Sequence, residues 1–301
     1  MTKRVQIWLL LTLFASLFSF STPSLAEQPH KTYFDFVQNL ARSNFSSKEI
    51  AEKITKEYTA VFETNALIVT KNKLDNAELE YLFDVTSLTI FYANNDRLTK
   101  KLSTIFSELD KRHLVTTKHI EKLFSAFISS RLFDEAEALK KRLKQNNFEL
   151  IPLLKVNAQN TTSLFSEWRI DDASESMERQ NFDLTNGETI VVLTHPRCHF
   201  SQNAITSILN DPDLKAMFET HAHLIAPQTD KIDFKLLQYW NKAYPTLPIA
   251  LMHKHDEWPF IEEWGTPQFY FLKNGEVKAH VEGWPKAGNK DKLLAAFQLI
   301  E

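Results

Sequence analysis

Hydrophobic residues recur at helical spacing through most of the first half of the chain. Ser46 and Glu49 form a capping-box pattern that predicts the start of a helix. Apolar residues follow at intervals of three or four, at Ile50, Ile54, Tyr58, Val61 and Phe62. The same periodicity predicts further helices at about residues 76–93, 96–110, 116–129 and 133–146. The pattern therefore indicates an all-helical domain over residues 31–149.

Short polar connections divide these helices into pairs. Asn94–Asp96 and Ser129–Arg131 predict tight turns between successive helices. Asp96 and Asp134 begin the second helix of two such pairs and are 38 residues apart. This arrangement resembles degenerate tetratricopeptide repeats, whose stacked helical hairpins hold a partner protein on a concave face. The alternative is a helical domain that only packs against its neighbour.

β-strand patterns begin where the helical periodicity ends. Leu150–Val156 is a predicted strand, and residues 163–170 and 176–184 bracket a polar turn as the two strands of a hairpin do. We therefore place a domain boundary near residue 150.

The last part of the chain alternates strands and helices. The turn Asn186–Gly187 leads into a strand of β-branched and aliphatic residues at Ile190–Leu193. The later predicted elements are a helix after Cys198, a short helix from Asn210, a strand at His221–Ala226, an amphipathic helix at 230–244 and a final helix at 287–300. The amphipathic helix carries Ile232, Leu236, Tyr239 and Trp240 on its predicted apolar side. Residues 245–263 show no assignable pattern. The order predicts an α/β domain at 150–301, with a hairpin extension at 150–185 and a core at 186–301.

Residues 1–26 have the pattern of a cleaved signal peptide. Lys3 and Arg4 precede an apolar run from Val5 to about Phe20, and the small residues Ser24 and Ala26 suit cleavage after Ala26. The alternative is a retained membrane anchor, but the run is shorter than the ~20 residues that a span needs. We therefore expect a periplasmic or secreted protein that meets a membrane only transiently, through this segment.

Composition and charge exclude several classes of partner. A chain of 301 residues with 43% hydrophobic residues is long enough for two globular domains. The formal charge of -3 becomes -5 when Lys3 and Arg4 are removed with the leader. This balance does not favour binding to nucleic acid or to an anionic membrane surface.

Cys198 is the single cysteine of the chain, so an internal disulfide is excluded. It stands at the predicted first turn of a helix, where free N–H groups and the helix dipole favour a thiolate. Arg197 and protonated His195 or His199 would lower its pKa further. The alternative is a small, buried and unreactive side chain. Because a polar turn and two histidines flank it, we favour an exposed and reactive thiol.

Two segments together resemble the thioredoxin superfamily. Cys198-His-Phe-Ser201 stands where that family has its Cys-x-x-Cys, and Pro267 follows Cys198 by 69 residues. The segment Trp264-Gly-Thr-Pro-Gln-Phe-Tyr-Phe-Leu-Lys-Asn-Gly-Glu-Val277, with Gly283, looks like the family's cis-proline loop, hairpin and last strand. The resemblance covers residues 185–301. It implies a thioredoxin-like α/β fold, with Gly265, Thr266 and Pro267 beside the sulfur in the groove that binds the substrate.

The departures from the family pattern change the expected chemistry. Ser201 replaces the second cysteine, so the chain looks like a monothiol Cys-x-x-Ser member that cannot release its own mixed disulfide. Such members carry out glutathione-dependent exchange, isomerise wrong disulfides or retain client proteins. Arg197 replaces the usual tryptophan, and Val192 replaces the buried carboxylate, so the expected proton acceptor is missing unless His195 or His199 takes its role. Thr194 is four residues before Cys198, which does not match the peroxiredoxin pattern.

Three pairs of histidines raise a metal hypothesis. His221 and His223 would share one face of a strand, His253 and His255 could do the same, and His195 and His199 flank Cys198. Surface histidines explain most pairs of this kind, so we expect neither a metal nor another cofactor.

The sequence thus predicts an all-α helical-hairpin domain followed by a thioredoxin-like α/β domain. We expect Cys198 to form mixed disulfides with protein thiols or a small thiol, while the helical domain recruits a partner protein. The alternative is a redox-inactive binding or assembly module that keeps the fold without its chemistry.

Overall fold

The computed structural model describes residues 27–63, 74–143, 148–156, 165–171 and 174–301. The predicted signal peptide therefore lies outside the described residues. Helices dominate the first half, and a mixed sheet with helices follows.

Six helices are described in the first half. They are α1 (Glu27–Ala41), α2 (Ser47–Phe62), α3 (Asn76–Ala93), α4 (Asp96–Lys111), α5 (Thr117–Ser129) and α6 (Phe133–Leu143). Ser46 and Glu49 form the predicted capping box at α2, and Asp75 with Glu78 caps α3 in the same way. The helices predicted from residue 76 onward are confirmed, with α6 described as far as Leu143. The segment that includes α1 carried no separate prediction.

The sheet half contains eight described strands in the order β1-β3-β2-β6-β5-β4-β7-β8. They are β1 (Leu153–Val156), β2 (Ser166–Asp171), β3 (Ser176–Asn181), β4 (Glu188–Leu193), β5 (Ala222–Ala226), β6 (Ile249–Met252), β7 (Gln268–Lys273) and β8 (Glu276–Glu282). β4, β5 and β6 are parallel, whereas β7 runs antiparallel to β4 and pairs with β8. The predicted hairpin of β2 and β3 is confirmed, and it extends the same sheet through β6.

Four more helices complete the sheet half. They are α7 (His199–Asn210), α8 (Pro212–His221), α9 (Phe234–Ala243) and α10 (Lys290–Phe297). The predicted order of strand, helix, strand, helix, hairpin and final helix is confirmed, with β6 as an addition inside the segment that had no assignment. Strands β4 to β7 are buried along nearly their whole length, as expected for a sheet covered on both faces.

Three local predictions were wrong. The strand predicted at His221–Ala226 begins at Ala222, because His221 is the last residue of α8, so His221 and His223 do not share a strand face. The amphipathic helix begins at Phe234 rather than at residue 230, and Asp233 before it has a φ of 54°. Tyr239, predicted on the apolar side of that helix, is 74% exposed because the buried face is formed by Phe234, Leu237 and Trp240.

The helical half contacts the sheet at the carboxyl ends of its parallel strands. Arg131, in the turn between α5 and α6, donates hydrogen bonds from Nε to the carbonyl of His253 (3.1 Å) and from Nη2 to that of Met252 (2.8 Å). Gln228, just after β5, donates to the carbonyl of Ser129. These contacts fix the helices beside the carboxyl ends of β5 and β6. The predicted domain boundary near residue 150 stays a prediction. Among the described residues, no helix is both long and apolar enough to cross a membrane.

Candidate functional site

Cys198 is held at the end of a central strand by a hydrogen-bonded turn. β4 ends at Leu193, and Cys198 is the N-cap residue of α7, with extended backbone angles. Its amide donates to the carbonyl of His195 at 2.9 Å, and its own carbonyl accepts from the amide of Gln202 at 3.0 Å. The side chain of Gln202 donates to the carbonyl of Pro196 at 2.6 Å. The predicted position of the sulfur at a helix N-terminus is therefore confirmed.

The cis-proline loop lies opposite the sulfur. The peptide bond between Thr266 and Pro267 is cis, and the antiparallel pairing of β4 with β7 places Gln268 beside Leu193. The thiol of Cys198 donates to the carbonyl of Thr266 at 3.2 Å. Gly283, at φ 69°, donates from its amide to the carbonyl of Pro267 at 2.9 Å and so anchors the loop from the other side. Pro267 is buried, whereas Gly265 is exposed and Thr266 is half-buried.

Hydrogen bonds favour the ionised form of the sulfur. Partial burial raises the pKa of Cys198, but hydrogen bonds to the thiolate from the side chain of Thr266, from the amide and hydroxyl of Ser201 and from the amide of Phe200 lower it by more. The pKa of the thiol therefore lies below its ordinary value. After the Thr266 side chain, which has the largest lowering effect, the free amides of Ser201 and Phe200 at the start of α7 contribute as the position at a helix N-terminus predicts.

Ser201 lies one turn into α7 from the cysteine and is fully buried. While the thiol of Cys198 is protonated and donates to Thr266, the hydroxyl of Ser201 has no hydrogen-bond partner among the described residues. A thiolate at Cys198 supplies an acceptor for this hydroxyl, because the two side chains are close enough for Ser201 to lower the pKa of the sulfur. The position of Ser201 suits donation of a hydrogen bond to the thiolate.

Arg197 is directed toward a carboxylate on another element. Its Nε donates to Oδ2 of Asp233 at 2.7 Å, and Nη2 donates to the other oxygen, while 61% of the side chain stays exposed. Burial raises the pKa of Asp233, but the hydrogen bonds and charge of Arg197 lower it by more. The main causes of the low pKa of Cys198 are hydrogen bonds, and the charge of Arg197 is balanced by Asp233.

The two histidines beside the cysteine differ in their surroundings. His195 is largely buried, its Nδ1 accepts from the amide of Arg197 at 3.2 Å, and its Nε2 lies 3.6 Å from Oδ2 of Asp233. Burial lowers the pKa of His195, although Asp233 opposes the shift. His199 is exposed on α7, with Nε2 3.1 Å from the side-chain nitrogen of Asn203. The structure therefore places His195, and not His199, with Asp233.

Three residues of the site were missed by sequence reasoning. Glu149 accepts hydrogen bonds from the amides of Ile232 (2.9 Å) and Asp233 (3.1 Å). It thereby fixes the loop whose Asp233 pairs with Arg197. Burial raises the pKa of Glu149. Asp233 itself is 36 residues from Arg197 in the chain, and no local pattern indicates the pair. Phe200 follows the cysteine and is 58% exposed, so an apolar ring lies on the surface beside the sulfur.

Three other histidines of the predicted pairs make contacts within the fold. His223 pairs with buried Glu167, His253 accepts from the indole of Trp168 at 3.0 Å, and His255 accepts from the amide of Gln228 at 3.0 Å. Burial lowers the pKa of both His253 and His255 to about 3. Within the described ranges, no three His, Cys, Asp or Glu side chains are grouped as metal ligands.

Comparison with known proteins gives little further information. No family model matches the chain, and no curated protein does. A solved structure described as "Solution Structure of a Putative Thioredoxin from Neisseria meningitidis" is 19% identical to this chain, with a TM-score of 0.29. The match covers 45% of this chain and 91% of the other. At this level of similarity the neighbour assigns neither a family nor an activity to the protein.

Proposed function

We propose that the protein carries out thiol–disulfide exchange through Cys198. One observation carries the proposal: the sulfur is partly exposed at the start of α7 and makes a hydrogen bond with the loop that contains cis-Pro267. The Cys198 thiolate attacks one sulfur of a disulfide and forms a new S–S bond, and the second sulfur leaves as a thiolate with the bonding electron pair. The products are a mixed disulfide with the protein and one free thiol.

Ser201 and Val192 determine how that intermediate is resolved. A serine hydroxyl does not attack a disulfide, so the mixed disulfide persists until an outside thiol attacks it. Val192 is buried and cannot accept a proton. This supports a monothiol protein that retains or isomerises client proteins, or exchanges with a glutathione-like thiol, and it argues against a dithiol reductase or oxidase.

The reactivity of the sulfur with a small thiol-specific probe tests the proposal. We expect the rate of alkylation by iodoacetamide to rise with pH through a half-point well below ~8.5, because the thiolate is the reacting form. Cys198→Ser should abolish both the alkylation and the formation of mixed disulfides with oxidised glutathione. A half-point at or above the ordinary value, or a thiol that the probe does not reach, would instead support a redox-inactive binding module.

The missing second cysteine and the missing buried carboxylate favour a second candidate function, that of a redox-inactive binding module. Without a resolving cysteine or a buried carboxylate, the fold retains the groove beside Pro267 but lacks two groups that make exchange fast. In a binding module the partner would associate without a covalent bond, and Cys198→Ser would leave binding unchanged. The comparison of Cys198→Ser with the unchanged protein thus separates the two functions.

We also propose that the protein is exported and acts in an oxidising compartment. The charged start, apolar run and small residues before Glu27 support this location. Disulfide-bonded clients persist in such compartments. The mass of the protein recovered from the expressing cell tests the proposal: a chain that begins at Glu27 supports export, whereas an intact Met1 in a membrane fraction supports the anchor.

A further inference from the structure

A large pocket lies between the helical half and the sheet half, away from the sulfur itself. Its volume is about 610 Å3, within the range typical of ligand sites. Residues of α2, of the turn between α3 and α4, and of the segment after β6 form its walls. We call it the interface pocket, and it is lined among others by Lys48, Ala51, Asn94, Lys254, Trp258 and Trp264.

The interface pocket lies at the same end of the sheet as Cys198, beyond the carboxyl ends of the parallel strands. Gln228, which follows the carboxyl end of β5, and the segment that follows β6 both line it. Cys198 follows the carboxyl end of β4, and β4, β5 and β6 are parallel. Ligands of α/β sheets bind outside this end. The pocket and the sulfur are therefore neighbours on one side of the molecule.

The wall between the pocket and the cis-proline loop is ordered by contacts from both halves. Trp264 stacks on His255 with ring centres 3.7 Å apart, and its amide donates to the hydroxyl of Ser47 at 3.3 Å. The amide of Lys48 donates to the carbonyl of Glu262 at 3.0 Å. Because Trp264 stands two residues before Thr266, this wall continues directly into the loop that contacts Cys198.

The pocket offers both donors and acceptors that the protein itself does not use. Trp258 forms a fully buried, apolar part of the wall. Lys48, Glu52 and Asp256 also line the pocket, and none of them forms a salt bridge within the described part of the chain. An occupant therefore meets unused donors and unused acceptors.

The chemistry of this lining fits an extended polypeptide. Three basic residues, Lys48, Arg97 and Lys254, balance the three acidic residues Glu52, Asp96 and Asp256, so a polyanion gains no net attraction. A polypeptide presents one carbonyl acceptor and one amide donor per residue, which matches the mixed lining.

We infer that the interface pocket binds a segment of a client polypeptide next to the cysteine that reacts with Cys198. The inference rests on the proposed function and narrows it, because it makes the substrate a protein rather than a small thiol. Binding in the pocket raises the rate with a peptide and leaves the rate with an isolated amino acid unchanged.

Two reporters that share one leaving group test the inference. The first is free cysteine that carries 5-thio-2-nitrobenzoate in a mixed disulfide, and the second is a randomised pool of peptides of about ten residues with the same group on a central cysteine. Cys198 displaces the coloured thiolate from both and forms the corresponding mixed disulfide. We expect the rate constant for the peptide pool to exceed that for cysteine by about tenfold or more.

Ala51→Trp should fill the pocket, because Ala51 lines it from α2. The matched control is Ala60→Trp, which places the same side chain on an exposed position of the same helix. Ala51→Trp should bring the ratio of the two rates to about one and change the rate with cysteine by less than about twofold. Ala60→Trp should keep both rates. Circular dichroism and the melting temperature establish that each variant folds.

Removal of the free carboxylates provides a variant that does not depend on packing. Glu52 and Asp256 are both exposed, and the double change Glu52→Ala with Asp256→Ala should lower the ratio several-fold with the fold intact. A ratio near one in the unchanged protein, or an undiminished ratio in both variants, overturns the inference. Failure of the cysteine reporter to react at all would overturn the proposed function instead.

Discussion

The thiol of Cys198 and the carbonyl of Thr266 are joined by a hydrogen bond of 3.2 Å, although the two residues are 68 positions apart in the chain. The pairing of β4 with β7 brings them together. When the thiol ionises, this carbonyl loses its donor and becomes free to accept from the backbone of an incoming peptide. Ionisation of the sulfur therefore also frees the Thr266 carbonyl to accept a hydrogen bond from a bound peptide.

Replacement of Ser201 by cysteine should convert a persistent mixed disulfide into a transient one. A thiol one helical turn from Cys198 can attack the mixed disulfide and release the partner, which the serine hydroxyl cannot do. After incubation with a disulfide-bonded protein, Ser201→Cys should retain at least about tenfold less covalent complex than the unchanged protein on a non-reducing gel.

Ser201→Ala is the control for that change. It also lacks a resolving thiol, so its complexes should persist as long as those of the unchanged protein. Because it removes a hydrogen bond to the thiolate, its Cys198 pKa should rise, which the pH dependence of thiolate absorbance would measure. Rapid release from Ser201→Ala would contradict the assignment of Ser201.

Asp233→Asn should lower the pKa of His195. The carboxylate of Asp233 raises the pKa of His195 against the effect of burial, so the asparagine variant should have a still lower His195 pKa, measured by NMR titration. The side chain of Asp233 is only 6% exposed, whereas that of Arg197 is 61% exposed, so the loss of this half-buried pair should cost about 1–3 kcal/mol.

Glu175→Gln is the matched control for Asp233→Asn. It removes the carboxylate from an exposed ion pair with Lys235, near the start of the same helix α9. The His195 titration should stay unchanged in this variant. An equal change in both variants would show that His195 responds to the overall charge and not to the contact with Asp233.

Sequence patterns predicted the elements whose signals are local. The capping box at Ser46, the periodicity of α3 to α6 and the strand before Cys198 all depend on residues a few positions apart, and each was found as predicted. The cis-proline loop was found through a motif that spans adjacent residues. Local hydrogen bonding and one-sided burial give hydrophobic residues a regular spacing in the sequence. This spacing made these features predictable.

The contacts that complete the site give no regular spacing of residues in the sequence. β6 is four residues long and wholly buried, so it shows no alternation that separates it from a buried loop. The contacts of Asp233 with Arg197, and of Arg131 with the end of β6, join residues 36 and more than 100 positions apart. Each depends on the packing of whole elements, which composition and spacing do not encode. The roles predicted for Arg197 and His199 beside the sulfur stay predictions.

Arg131→Met should weaken the attachment of the helical half to the sheet. Arg131 is 7% exposed and donates to two carbonyl oxygens at the end of β6. Methionine keeps the volume but leaves both carbonyls without this donor, at a cost of about 2–4 kcal/mol in the free energy of unfolding. Urea denaturation measures the loss.

Arg97→Ala serves as the comparison for the buried arginine. Its guanidinium pairs with Glu63 but is 58% exposed, so its removal should cost less than about 1 kcal/mol. Arg131→Lys should fall between the two, because one ammonium group does not reproduce the two directed bonds of the guanidinium. Equal costs for Arg97→Ala and Arg131→Met would contradict a structural role for Arg131.

Buried His253 should make the fold less stable in mild acid. Burial lowers its pKa from 6.5 to about 3, so between those pH values the unfolded chain binds a proton that the folded protein does not. Stability is then complete above about pH 6.5 and falls as the pH decreases toward 3, by at most about 1.4 kcal/mol per pH unit for this group.

His253→Gln keeps an acceptor for the indole of Trp168 and does not titrate. Between pH 7 and pH 5 it should therefore lose about 1–2 kcal/mol less stability than the unchanged protein, as measured by urea denaturation. His199→Gln, at an exposed position, should follow the unchanged protein, and an identical pH dependence in all three proteins would mean that His253 does not contribute to acid sensitivity.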